Sequence, residues 1–235
     1  MMLPYRPRFV RRPTAIVPWQ ARPFRLGAMA LLLFSSNAMT HYFSHSDEPF
    51  PPIVETASPS QDLYLMEKAR PFLQSEELFR EEVNRIASHL HIPNSWLMAV
   101  MYAESSFDAQ VYNHRGSGAV GLIQFMPTTA RELGYSSQEI ALMSPSRQLS
   151  LVGAYFEQVR QRYGAYDSLT DLYLAVLYPK ARKQDPCYTL YAQPSQSYRQ
   201  NSGLDENKDG RVTVNDIRLR MQRLFPQAAA ASQPS

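Results

Sequence analysis

Two consecutive helices are written into residues 75–105. In the stretch SEELFREEVNRIASHLHI, Leu78, Val83, Ile86, Ala87 and Leu90 recur at helical spacing and make one apolar face. Ser75 is placed to cap this helix, and acids crowd its first turn, where the helix dipole favours negative charge. Pro93 then opens a second helix, at a position that needs no N–H. Within that helix Leu97, Met101 and Glu104 fall at i, i+4 and i+7, so one carboxylate shares a stripe with core residues. Burying an unpaired carboxylate is costly, and the usual outcome is a raised pKa. Taken alone, Glu104 is explained more simply by a salt bridge or by a side chain reaching the surface than by a chemical role.

The rest of the central region is helical too. PTTARELG is a short helix ending at Gly134, SRQLSLVGAYFEQVRQRYG a longer one ending at Gly164, and SLTDLYLAVLYP a third stopped by Pro179. No run alternates for five residues between turn signals, so the core is expected to be mainly α. Cys187 is the only cysteine, which rules out an intrachain disulfide and leaves the fold to packing. No histidine follows His114, and Cys187 is read as structural.

The two ends differ from the centre. Arg6, Arg8, Arg11, Arg12, Arg22 and Arg25 precede the first acid, Asp47. The other 18 basic residues face 21 acids, a net charge of −3 beyond residue 38 that does not support a nucleic-acid partner. The arginine head, the apolar run Leu26 to Phe34, and the small residues Ser36 and Ala38 predict a secretory signal over 1–38, or an uncleaved membrane anchor. The expected location is the periplasm or cell envelope. A Pro-rich linker follows over 39–61, residues 1–60 holding nine of the 18 prolines.

Ten residues after Glu104 comes HRGSGAVGLIQFMPTTA, where Gly116, Gly118 and Gly121 allow tight turns and close approach to a ligand. Here the sequence resembles a known family. Glu104, Ser105 and Phe107 (ES-x-F), then GA-x-GL-x-Q-x-MP-x-TA from Gly118 to Ala130, are similar to the soluble lytic transglycosylases of bacterial cell walls, within the lysozyme superfamily. SPSRQLSLVGAYF (Ser144–Phe156) and LAVLYPKA (Leu174–Ala181) continue the resemblance in order, over roughly residues 78–182.

The resemblance implies a mainly α, lysozyme-like lytic transglycosylase domain over 62–200 with a groove for peptidoglycan glycan strands. It implies Glu104 as catalytic acid, and Ser105, Ser117, Gln124, Met126 and Tyr178 as residues shaping the sugar site. The family's asparagine after the tyrosine is replaced by Pro179, which lacks its amide. Asp108 is the next acid after Glu104 and is read as a cap. Without a second carboxylate to activate water, the substrate's N-acetyl group and C6 hydroxyl would complete a cleavage without net hydrolysis. A goose-type hydrolase and a non-catalytic wall-binding module are the alternatives, and a monomer is expected.

DENKDGRVTVND (Asp205–Asp216) has the spacing of a calcium loop, with Asp205, Asn207, Asp209, the carbonyl of Arg211, and Asp216 as ligands and Gly210 at the turn. This EF-hand-like loop and its exit helix are expected over 201–225, with structural Ca2+ and no cofactor needed for the chemistry. A disordered tail is expected over 226–235.

Overall fold

The computed structural model describes residues 62–113 and 117–232. The expected signal, the linker and Gly116 lie outside the described residues, as do the last three residues of the tail. Everything described belongs to one compact unit, Thr56–Ser235. No helix among the described residues is long and apolar enough to cross a membrane.

The architecture is mainly helical, as expected. A short helix, α1 (Met66–Ala69), leads to α2 (Glu76–Leu90) and α3 (Asn94–Ser105). The Ser75 hydroxyl accepts from the Leu78 amide and caps α2, with Glu76 and Glu77 in the first turn. Val83, Ile86, Ala87 and Leu90 are buried on the expected face. Leu78 points outward, 58% exposed, and Phe79 takes its place in the core. Trp96 to Met101 of α3 are buried without a break, so this helix has no solvent face along most of its length.

Two short helices, α4 (Pro127–Glu132) and α5 (Ser137–Ala141), precede the long α6 (Pro145–Tyr163), which packs along α2. Gly153 permits that approach, since a Cβ there would sit 3.1 Å from the Ile86 side chain. Helix α7 (Leu169–Leu177) is capped by Ser168 and lies against α3.

One buried ion pair ties the end of α6 to the turn after α7. Arg182 Nη2 meets Asp171 Oδ2 at 2.7 Å and its Nε meets Oδ1 at 2.9 Å. The same guanidinium donates to the carbonyls of Gly164 and Ala165 and lies 4.2 Å from the Tyr166 ring centroid.

Beyond α7 the chain does what its pattern does not announce. Thr189–Ala192 (β1) pairs antiparallel with Arg211–Thr213 (β2), and α8 (Gln196–Asn201) lies between them in sequence. Leu190 is buried and the other three residues of β1 are half-buried, so no clean alternation marks the strand. Helix α9 (Val214–Leu224) packs on α7, burying Ile217 and Met221. The expected tail is partly ordered: Pro226–Ala230 forms α10 against α3 and α7. Its anchors are Phe225 and Ala228, both buried, and the Trp96 Nε1–H donates to the Ala228 carbonyl at 2.9 Å. The alanines that read as low complexity are small enough to seat a helix against α3.

Replacing Asp171 by Ala leaves the Arg182 charge buried with half its partners gone. Denaturation should show a loss of about 3–5 kcal/mol; a loss below about 1 kcal/mol would mean that the carbonyls and the ring suffice.

Candidate active site

The catalytic candidate sits on the last turn of α3. Ser106 and Phe107 both adopt left-handed backbone angles, at φ 53° and 67°, and end the helix abruptly. Phe107 is fully buried and, with Phe79 and Tyr102 against its ring, holds that reversal in place. Ser105 Oγ donates toward the carbonyls of Met101 and Leu122, at 3.1 and 3.0 Å. It is buried, so among the expected site residues Ser105 shapes the helix end and does not face a ligand.

The Leu122 carbonyl belongs to the glycine-rich loop. Val120 and Phe125 exchange backbone hydrogen bonds of 3.1 and 2.8 Å, making a tight lobe between Gly121 and Gln124, whose φ angles are 81° and 52°. Gln148, buried on α6, clamps this lobe. Its Oε1 accepts from the Leu122 amide at 2.9 Å, and its Nε2 donates to Ala109 and Ile140 at 2.6 and 2.7 Å. Gly121 is required beside it, because a Cβ there would lie 2.4 Å from Gln148 Oε1.

Two cavities of about 560 and 510 Å3 flank Glu104, and both also touch Leu177 and Asn201. Together they form a groove that passes the carboxyl on either side, the shape a polymer needs. The first cavity is lined by Ser117, Gln124 and Met126, as expected, and also by Asn113 and Tyr191. Gln124 Nε2 is spent on the carbonyls of Val111 and Gly121, so it presents its carbonyl oxygen to a ligand. Tyr178 does not line either cavity; its ring packs on Tyr191 with centroids 5.9 Å apart.

The tyrosine that reaches the acid is Tyr173, on α7. Burial pushes the Glu104 carboxyl up from 4.5 to about 7, against the downward pull of the Tyr173 hydroxyl hydrogen-bonded to it. Burial, with the Glu104 charge nearby, pushes the Tyr173 phenol up as well. No other carboxyl lines these two cavities among the described residues. Asp108 lies apart, its Oδ1 accepting from the Gln110 amide at 2.8 Å in a local turn.

Pro179 starts a 3-10 turn and brings no amide, but Asn201 of α8 supplies one to both cavities. Tyr173, Tyr191 and Asn201 stand outside the recognised motif blocks or at unmatched positions in them, and nothing in their local spacing singles them out.

The calcium-type loop folds around its own hydrogen bonds. Asp205 accepts from the amides of Asp209 and Gly210 and from the Tyr198 hydroxyl. Asp209 accepts from the Arg211 amide and from Asn207 Nδ2. Asp216 caps α9, accepting from the Thr213 and Glu206 amides. Among the described residues no group of three His, Cys, Asp or Glu is arranged to hold a metal ion. No chemistry is routed through a cation at this loop.

Gly121→Ala should cost about 2–4 kcal/mol, since it strains a left-handed position and drives Gln148 off Leu122. Chemical denaturation measures it, and a change under 1 kcal/mol would mean the lobe yields at little cost.

The site's central span also matches a known family. The family model described as the transglycosylase SLT domain covers residues 81–178, which include Glu104, the glycine-rich lobe and Tyr173. No curated protein matches the chain. The helix that carries Glu104, the lobe beside it and the helix that brings Tyr173 all fall within this match to the transglycosylase SLT domain, and Tyr191 and Asn201 lie beyond it.

Proposed function

We propose that this chain is a peptidoglycan lytic transglycosylase. It cuts the β-1,4 bond between MurNAc and GlcNAc, leaves 1,6-anhydroMurNAc ends, and uses Glu104 as acid and then base. The observation that carries the reading is a single carboxyl, held near neutrality, midway along a groove that no other acid lines among the described residues. SLT-domain proteins act on peptidoglycan as lytic transglycosylases, which supports the substrate class.

The chemistry needs a proton first. Glu104, still protonated in part at neutral pH, gives its proton to the glycosidic oxygen as the C1–O bond breaks. The N-acetyl carbonyl oxygen of the same muramic acid bonds to C1 and carries the developing charge. The C6 hydroxyl then attacks C1, the acetamido oxygen leaves, and the Glu104 carboxylate takes the C6 proton. No water is consumed, so one acid/base group suffices. Two-carboxylate glycosidases need a base or nucleophile within about 10 Å of the acid, and Asp108 is engaged in its own turn elsewhere. The basic, apolar head at 1–38 suits export to the envelope, where this substrate lies.

Muropeptides released by the purified protein should carry anhydro ends; reducing ends, one water heavier, would mean a hydrolase. Glu104→Gln should fold and release none. It should also raise stability at pH 8. The carboxyl pKa is raised on folding, so ionisation destabilises the native state between about 4.5 and 7, and stability falls as pH rises through that window. The shift corresponds to about 3 kcal/mol, and water in the groove reduces the effect to about 1–2 kcal/mol. The variant's advantage in Tm should vanish below pH 4.5. An equal Tm at pH 8 would mean an unperturbed carboxyl.

The pH profile of kcat/KM should fall above about pH 7, as Glu104 loses the proton needed for the first step. Tyr173→Phe removes a donor that favours the ionised carboxyl, so the limb should move to higher pH. A limb that stays in place would deny Tyr173 a role in positioning the acid.

A further inference from the structure

The groove differs in character on its two sides. Around the first cavity the lining is neutral: Asn113, Ser117 and Gln124 offer polar groups, Met126 a thioether and Tyr191 a ring. Such a set suits sugar rings, which present hydroxyls at their edges and C–H groups on their faces. The second cavity is lined by Tyr173 and Asn201 together with two arginines, Arg199 and Arg220. Glu104 is the only acid that lines it among the described residues.

The positive charge there is built in. Arg220 Nη1 donates to the Gly203 carbonyl at 3.0 Å and to Glu206 Oε1 at 3.2 Å, which fixes its direction. Glu206 is shared with Arg223, at 2.8 Å, so one carboxylate stands against two arginines before Arg199 is counted. Arg199 is exposed and spends Nη1 on the Pro194 carbonyl. A guanidinium carries five N–H groups in a planar fork, so these contacts use only part of each arginine's donor capacity. Helices α8 and α9, which bring both arginines, lie beyond the SLT match at 81–178.

We infer that the second cavity binds a carboxylate-bearing substituent of the strand in the groove, through Arg199 and Arg220. On peptidoglycan that substituent is the acidic stem peptide of a muramic acid next to the cut. This makes α8 and α9 the part of the chain that distinguishes stem-bearing from bare strands. The identity of the strand rests on the function proposed above; the recognition of a carboxylate rests on the cavity alone. Arginine is the side chain suited to the task, since its fork meets both oxygens of a carboxylate.

The test is calorimetric binding to Glu104→Gln protein, which holds a strand without cutting it. Three probes are compared: GlcNAc–MurNAc oligosaccharides with tetrapeptide stems, the same with stem carboxyls amidated, and the same without stems, whose lactyl carboxylates are exposed. Stem-bearing strands should bind about tenfold tighter than either control, the worth of one charge-assisted hydrogen bond. Adding Arg199→Gln or Arg220→Gln should remove most of that margin. Arg199 is exposed, so it serves if loss of the Gly203 and Glu206 contacts unfolds the Arg220 variant.

Equal affinity for all three probes would overturn the inference, as would a margin that survives both substitutions. Amidated stems binding as well as acidic ones would overturn carboxylate recognition, and bare strands binding as tightly as stem-bearing ones would overturn the stem assignment. Tight, arginine-dependent binding without anhydro products would leave this inference standing and sink the proposed activity.

Discussion

One buried amide holds the groove together. Gln148 reaches from α6 to the backbone of three separate segments: Ala109 after α3, Leu122 in the lobe, and Ile140 in α5. Each of those groups would cost about 1–3 kcal/mol if left without a partner in the interior. A fully buried glutamine is an unusual core residue, and here it satisfies both of its donors and one acceptor site. Shape follows from that satisfaction. Gly121 has to be a glycine because Gln148 occupies the space of a Cβ, and the lobe so formed carries Gln124 and Met126 to the groove. Ser105 makes the second tie, from the helix end to Leu122, so acid and lobe share one anchoring strand of backbone.

The C-terminal segment is built into the same core. Trp96, near the start of α3, bonds to Ala228, and α9 rests on the helix that brings Tyr173 to the acid. Tyr191 on β1 and Asn201 on α8 line the groove because β1 and β2 hold that region closed, with Tyr191 opposite Val212 in the ladder. The loop between α8 and β2 keeps its carboxylates occupied by its own amides and by Tyr198. In this arrangement its work is to turn the chain so that α9 starts with a full capping box.

What the sequence made legible was local. The caps at Ser75 and Pro93, the glycine stops and the i, i+4, i+7 stripe containing Glu104 each depend on a few neighbouring residues, and the elements formed where those signals stand. Phe79, not Leu78, stands at helical spacing from Val83, Ile86 and Leu90, so the pattern carried the right choice and the reading of Leu78 missed it. Tyr173 was harder still. Its spacing from neighbouring apolar residues is that of any core aromatic, and its role arises from α7 crossing α3. The helix at Pro226–Ala230 is too short to hold by alanine's helix propensity alone, and its anchor, the Trp96 N–H on the Ala228 carbonyl, lies far away in sequence.

The perturbed acid and the asymmetric groove have a common origin in the packing around α3. The middle of this helix, Trp96 to Met101, is buried without a break, so it meets the groove near its end, where two left-handed residues follow directly after Glu104 and Ser105. The carboxyl therefore meets the groove at the edge of the apolar core, where desolvation from behind raises its pKa while one face stays open to a ligand. The surfaces on its two sides come from different parts of the chain, the lobe at Gly118–Met126 and the C-terminal helices. Charge can be changed on the second without disturbing the neutral lining of the first. Burial raises the Glu104 carboxyl and the Tyr173 hydroxyl pulls against it, while Arg220 on the same side of the groove is engaged by Glu206 and by a backbone carbonyl. An uncompensated guanidinium at that position would favour the ionised acid and remove the proton that the first step requires.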